Sequence, residues 1–107
     1  MASKKETLDF VLEQLSDIED ISWRKMMGEY LIYFNEKVVG GIYDDKFMLK
    51  NTQSIQNLLN SCPIESPYQG AKPMINVSDI VYNNQPDNKI LFKQVLPLIF
   101  NDLTNKK

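Results

Sequence analysis

The 107-residue sequence contains no histidine, one cysteine (Cys62) and one arginine (Arg24). Without an imidazole, His-based triads and proton shuttles are excluded, and a lone thiol leaves zinc or copper without a plausible ligand set. One cysteine cannot close an internal disulfide, so a reducing compartment is expected. No stretch approaches the roughly 18 consecutive apolar residues of a membrane span. The opening Met1-Ala2-Ser3-Lys4-Lys5-Glu6 reaches acidic Glu6 and Asp9 before a signal-like apolar run could form. A cytoplasmic protein without membrane contact is the expectation.

A clustered basic face is also lacking. Formal net charge is −2, and Lys4/Lys5, Arg24/Lys25 and Lys106/Lys107 are short pairs scattered along the chain. Nucleic-acid binding draws on adjacent cations that neutralise several phosphates, so direct binding to DNA or RNA is not expected. What is present suits an ordinary core. A hydrophobic fraction of 43% and a charged fraction of 24% over this length describe one globular domain spanning residues 1–107.

Periodicity divides the chain. Ser3-x-x-Glu6 fits a capping box, and Leu8, Val11, Leu12, Leu15 and Ile18 follow at helical spacing, predicting a helix over about 4–15. Ile21 to Met27 reads as a strand, with a bend or bulge at Gly28. Tyr30 to Phe34, Val38 to Tyr43 and Lys46 to Lys50 read as three more, separated by the turns Asn35-Glu36-Lys37 and Asp44-Asp45. Such short connections make consecutive strands antiparallel neighbours. Asn51-Thr52 looks like the cap of a second helix, with Ile55, Leu58 and Leu59 inward, ending near Pro63. Pro63 to Pro73 reads as an ordered loop and Met74 to Val77 as a fifth strand. A last helix begins near Pro86 or Asp87, with Ile90, Leu91, Val95, Leu98 and Ile99 as its apolar side; Pro97 should kink or split it. Lys106-Lys107 is a frayed tail. The expected fold is a two-layer α+β domain in the order α-β-β-β-β-α-β-α, an antiparallel sheet packed against helices.

Several residues invite a functional reading. Arg24, beside the Gly28 bend, could hold a carboxylate or phosphate, or form a surface ion pair. Gly28, Gly40 and Gly41 permit close backbone approach, whether for a ligand or for packing. Met26, Tyr30, Tyr43 and Met48 place large groups on strands already apolar on both faces, so one-sided helix cover would leave a methionine- and aromatic-rich interface. Asp44-Asp45 suits a turn, since catalytic carboxylates converge across a cleft. Asp17, Glu19 and Asp20 lack calcium-loop spacing, and Cys62 has no partner base.

The segment Trp23-Arg24-Lys25-Met26-Met27-Gly28-Glu29-Tyr30-Leu31-Ile32-Tyr33, continued by Val39-Gly40-Gly41-Ile42-Tyr43-Asp44-Asp45-Lys46-Phe47-Met48-Leu49-Lys50, resembles the signature of the TfoX/Sxy N-terminal domain family. Tyr68-Gln69-Gly70-Ala71-Lys72-Pro73-Met74 resembles the loop leading into that family's last strand. The sequence departs from the pattern at Met27, where Phe is common, and at Glu29, where a second Gly is common. Full-length regulators of this family carry a further C-terminal helical domain, so the resemblance implies a stand-alone N-terminal domain. It also implies a link to competence regulation, in which such proteins assist a DNA-bound activator. It transfers no catalytic residue, cofactor or metal. The expected function is a non-enzymatic interaction or regulatory module acting through a protein partner or as a homodimer, with Arg24, Met26, Gly28, Tyr30, Tyr43 and Met48 as candidate interface or ligand-facing residues. The alternative is a small-ligand-binding domain or enzyme with a pocket near Arg24, Tyr43 and Gly70.

Overall fold

A computed structural model describes residues 3–83 and 85–105; the expected tail at Lys106-Lys107 lies outside them. Helix α1 (Lys5–Gln14) leads into strands β1 (Ile21–Met26), β2 (Glu29–Phe34), β3 (Lys37–Tyr43) and β4 (Lys46–Lys50). A 3-10 turn (Gln53–Ile55), short strands β5 (Ile64–Glu65) and β6 (Met74–Asn76), and helices α2 (Ser78–Asn83) and α3 (Asn88–Thr104) complete the order. All six strands form one antiparallel sheet in the order β1-β2-β3-β4-β6-β5. The α+β class and the four-strand meander are as the sequence predicts.

The meander follows from its turns. Met27-Gly28, Asn35-Glu36 and Asp44-Asp45 each hold both residues at positive φ, as the type I′ turn requires. Two-residue links of this hand match the right-handed twist of the strands and fix their register. Gly28 is therefore a hairpin residue. The irregularity lies instead between Ile32 and Tyr33, where Val39 is the extra residue on β3. Gly40 serves close packing, because a Cβ there would overlap the Met48 carbonyl oxygen.

Alternation sorts the sheet's faces. Tyr30, Ile32, Ile42, Phe47, Leu49 and Ile75 share a core with Leu8, Val11, Leu15, Val81, Phe92, Val95, Leu96 and Ile99 from the helices. Phe47 and Phe92 meet with ring centroids 5.8 Å apart. Leu31, Tyr33, Gly41, Tyr43, Met48 and Lys50 fall on the opposite face by alternation.

Four expectations need correction. Ser3 does not cap α1: its hydroxyl donates to Glu29 (2.6 Å), and Asp45 accepts from the Lys4 N–H and the Thr7 hydroxyl, both at 2.8 Å. The second helix is only the 3-10 turn, because Ile55 and Leu59 alone are buried there and Leu58 is exposed. Its start is held from outside, Asp102 of α3 accepting from the Ser54 N–H (2.9 Å) and hydroxyl (2.6 Å). Pro97 does not split α3, which runs on through it. Proline removes one donor toward the carbonyl four residues back, and that residue, Lys93, lies on the exposed side. Finally, α3 turns Phe92 and Leu96 inward beside Val95 and Ile99, while Ile90 is exposed. No helix among the described residues is long and apolar enough to cross a membrane.

The rotation of α3 gives a direct prediction. Phe92→Ala should destabilise the domain by about 3–5 kcal/mol, the cost of emptying a buried aromatic site. Ile90→Ala should change stability by no more than about 0.5 kcal/mol. Urea unfolding of the two variants checks this, and comparable losses would mean the helix is rotated otherwise.

Candidate functional site

The two edges of the sheet are treated differently. At one, β5 is two residues long and sits between Pro63 and Pro67; a short edge flanked by proline offers little template for pairing. At the other, β1 offers six residues, all exposed except half-buried Ile21. In an antiparallel ladder closed by a two-residue turn, bonded and non-bonded pairs alternate away from the turn. With Met26 opposite Glu29, Arg24 opposite Leu31 and Ser22 opposite Tyr33, that alternation directs the N–H and C=O groups of Ile21, Trp23 and Lys25 outward.

Apolar groups gather along this edge. Trp23 is 42% exposed, Met26 49% and Met27 96%. The Trp23 ring meets the edge of Tyr30, centroids 5.6 Å apart, and so has a fixed platform. Met27 occupies a left-handed position at φ 53°, where Asn, Asp or Gly relieves strain that a methionine cannot. Local rules of this kind are most often broken where function requires it.

The turn carrying Met27 is also tied down. The Ser3 N–H donates to the Gly28 carbonyl at 2.9 Å. Ser3 Oγ accepts from the Asp45 N–H at 3.0 Å, and Glu29 accepts from the Asp44 N–H at 3.2 Å. Glu29 thus links the N-terminal segment to the neighbouring hairpin. The hydrogen bonds from Lys4 and Thr7 hold the Asp45 carboxyl below its usual range. The end of the sheet from which Met27 projects is therefore held by several charge-assisted bonds.

The residues singled out from the sequence separate into three environments. Arg24, Met26 and Gly28 lie on β1 or its turn. Arg24 sits over the Tyr33 ring, 5.9 Å from its centroid, in a shallow cleft shared with Ser22, Trp23 and Glu36. Tyr30 (4% exposed) and Met48 (1%) are buried in the packed body of the domain and cannot face an outside partner. Met48 is buried although its face carries no helix, and on that side the loop after Pro67 brings the Tyr68 ring to Tyr43, 6.0 Å between centroids. Tyr43 thus lines a different cleft from Arg24, and neither of these two clefts among the described residues includes Gly70; β2 intervenes between β1 and β3. Trp23 and Met27 belong to the edge and were absent from the candidates. The signal for Met27 was its place beside Gly28 in a two-residue link.

The carboxylates with shifted pKa values are engaged in structural bonds. Asp102 is lowered by its bonds from Ser54, and Glu65 by bonds from Asn76 and Lys46. Burial, with Asp79 nearby, pushes the Cys62 thiol up and so keeps it protonated. Among the described residues no group of three or more His, Cys, Asp or Glu side chains could hold a metal ion.

A small α+β domain with one blunted sheet edge and one open, apolar and basic edge is the class these features define. The chain belongs to the TfoX N-terminal domain family, whose profile matches residues 13–94. An uncharacterized 12.7 kDa protein in the trpE 5′ region of Spirochaeta aurantia is 33% identical over 81 residues, 76% of this chain and 70% of that protein. No solved structure matches the chain significantly.

Replacing Met27 with Asn tests whether the turn sacrifices stability for an exposed side chain. Met27→Asn should stabilise the domain by about 1 kcal/mol, relieving the left-handed strain, and raise Tm by about 4–8 °C. An unchanged or lower Tm by calorimetry would remove that argument.

Proposed function

We propose that this domain is a non-enzymatic regulatory module that accepts an extended, acidic segment of a protein partner as an added strand beside β1. Strand addition takes its affinity from main-chain hydrogen bonds and its specificity from side chains at alternate positions. The observation that carries the reading is the asymmetry of the sheet, with proline flanking one edge while the other offers six residues. Trp23, Met26 and Met27 supply apolar contacts there, and Trp and Met are among the residues enriched at interfaces.

Charge selects the partner's chemistry. Arg24 and Lys25 lie on β1, neither in an ion pair among the described residues. Two cations suppress indiscriminate pairing of the edge and match carboxylates on an incoming strand. A second copy is the poorer fit, because β1 against β1 gathers two Arg24 and two Lys25 side chains with no carboxylate from either strand. Nucleic acid is not the proposed partner, since the net charge is −2 and the basic residues form only short pairs scattered along the sequence. The non-enzymatic reading draws on the Asp45, Glu65 and Asp102 carboxylates, which are held in structural hydrogen bonds, and on the half-buried Cys62 thiol. Family membership suggests a regulatory role in competence, and a single cysteine suits a reducing cytoplasm as its setting.

The test uses a photo-crosslinking residue at position 27, introduced into the full chain in its native host, with and without Lys25→Pro. Proline at 25 removes an outward N–H while sparing the ladder to β2. A discrete adduct with an acidic segment of another protein, reduced about tenfold or more by Lys25→Pro while Tm moves only a few degrees, is expected. Adducts indifferent to Lys25→Pro, a crosslinked homodimer, or no adduct would overturn the proposal.

A further inference from the structure

Two strands from β1, a cleft of about 540 Å³ opens between Tyr43, Lys50 and Met74 and the loop carrying Tyr68 and Lys72, with Leu103 of α3 also in its wall. Its volume falls within the roughly 300–1,000 Å³ of small-molecule sites. The wall includes two lysines and no Asp, Glu or Arg. In a chain of net charge −2, this is a local excess of positive charge. Among the described residues the ion pairs engage Lys5, Lys46 and Lys89, leaving Lys50 and Lys72 without carboxylate partners. The nearby Asp102 carboxylate is committed to Ser54.

The cleft is formed by ordered elements. Tyr68 to Ala71 is a turn closed by a hydrogen bond from the Ala71 N–H to the Tyr68 carbonyl at 3.0 Å. Gly70 stands at its third position with φ 89°, as a type II turn requires. Pro67 and Pro73 flank the turn and stiffen its ends. On the sheet, Gly41 leaves room for Tyr43: a Cβ at 41 would come within 2.8 Å of the Tyr43 ring. Burial, then the neighbouring Tyr68 and Glu29, push the Tyr43 phenol up, so it remains a neutral hydrogen-bond donor. A donor phenol, two unpaired ammonium groups and apolar surface from Met74, Leu103 and the prolines provide for a negative end and an apolar body.

The geometry points to a binding site for a small organic anion, a carboxylate or phosphate ester on a flat apolar body, held by Lys50 and Lys72 and packed against Tyr43, Tyr68 and Met74. This site shares no residue with the β1 edge, so it stands or falls independently of the proposed partner strand.

Titration of the ¹⁵N-labelled chain with phenyl phosphate, salicylate, neutral benzyl alcohol and inorganic phosphate tests it. At least one aromatic anion should shift amides around Tyr43, Lys50, Tyr68 and Lys72 more strongly than benzyl alcohol or inorganic phosphate. A stronger response to phenyl phosphate identifies a phosphate ester, and to salicylate a carboxylate; either supports the site. The Lys50→Gln/Lys72→Gln double variant should weaken binding about tenfold or more, the scale of losing charged hydrogen bonds, with Tm within a few degrees of wild type. No binding below about 10 mM, shifts spread over lysines outside the cleft, equal binding of the neutral compound, or undiminished binding in the double variant would each overturn the assignment.

Discussion

The sheet is covered by helices on one face only, and much else in the structure follows from how that cover is distributed. Phe92, Val95, Leu96 and Ile99 of α3 pack with Ile32, Ile42, Phe47 and Leu49 in the core, and each fully buried side chain of this size contributes about 1.5–3 kcal/mol. The helices rest on β2, β3 and β4. At the margin of that footprint only Ile21 of β1 packs against the core, and the strand's other five side chains are exposed. On the opposite face, the Pro67–Pro73 loop and Tyr68 fold back toward Tyr43. An open edge and a cleft under a loop are both products of this partial cover.

A second constraint keeps the open edge ordered. Ser3 and Lys4 bond to Gly28, Glu29 and Asp45, joining the start of the chain to two hairpin turns distant in sequence. Each bond is modest alone, since solvent competes for every partner. Together they connect the chain's first turn to the end of the sheet that carries Met27. An edge presented this way binds with less ordering entropy than a free segment would. Glu29 is thus a structural link, accepting from the Ser3 hydroxyl and the Asp44 N–H.

The meander is readable because its signals are local, alternating strands and short connections, although Met27-Gly28 reads as a bend and only the structure shows it as a hairpin link. The helices were only partly readable. Around α3 the sequence is apolar on several sides, so Ile90 competes with Phe92 for the core, and only the sheet decides the rotation. Ile64-Glu65 is too short to show alternation, and its strand exists because β6 lies beside it. The six residues of α2 likewise depend on tertiary support, including stacking of Tyr82 on Phe10 at 5.5 Å. For the site, composition pointed to methionine and aromatic residues but not to which were outside. Met48 and Tyr30 are hidden, Trp23 and Met27 are exposed, and Tyr43 belongs to a separate cleft.

In the isolated chain β1 retains an unpaired backbone edge. Amide hydrogen exchange read residue by residue by NMR measures this directly. The Ile21, Trp23 and Lys25 amides should exchange close to the rate of open backbone, while those of Ile32, Ile42 and Leu49 in the core are protected by several orders of magnitude. Comparable protection at Ile21, Trp23 and Lys25, above all if it grew with protein concentration, would contradict the account by showing that the edge is already covered.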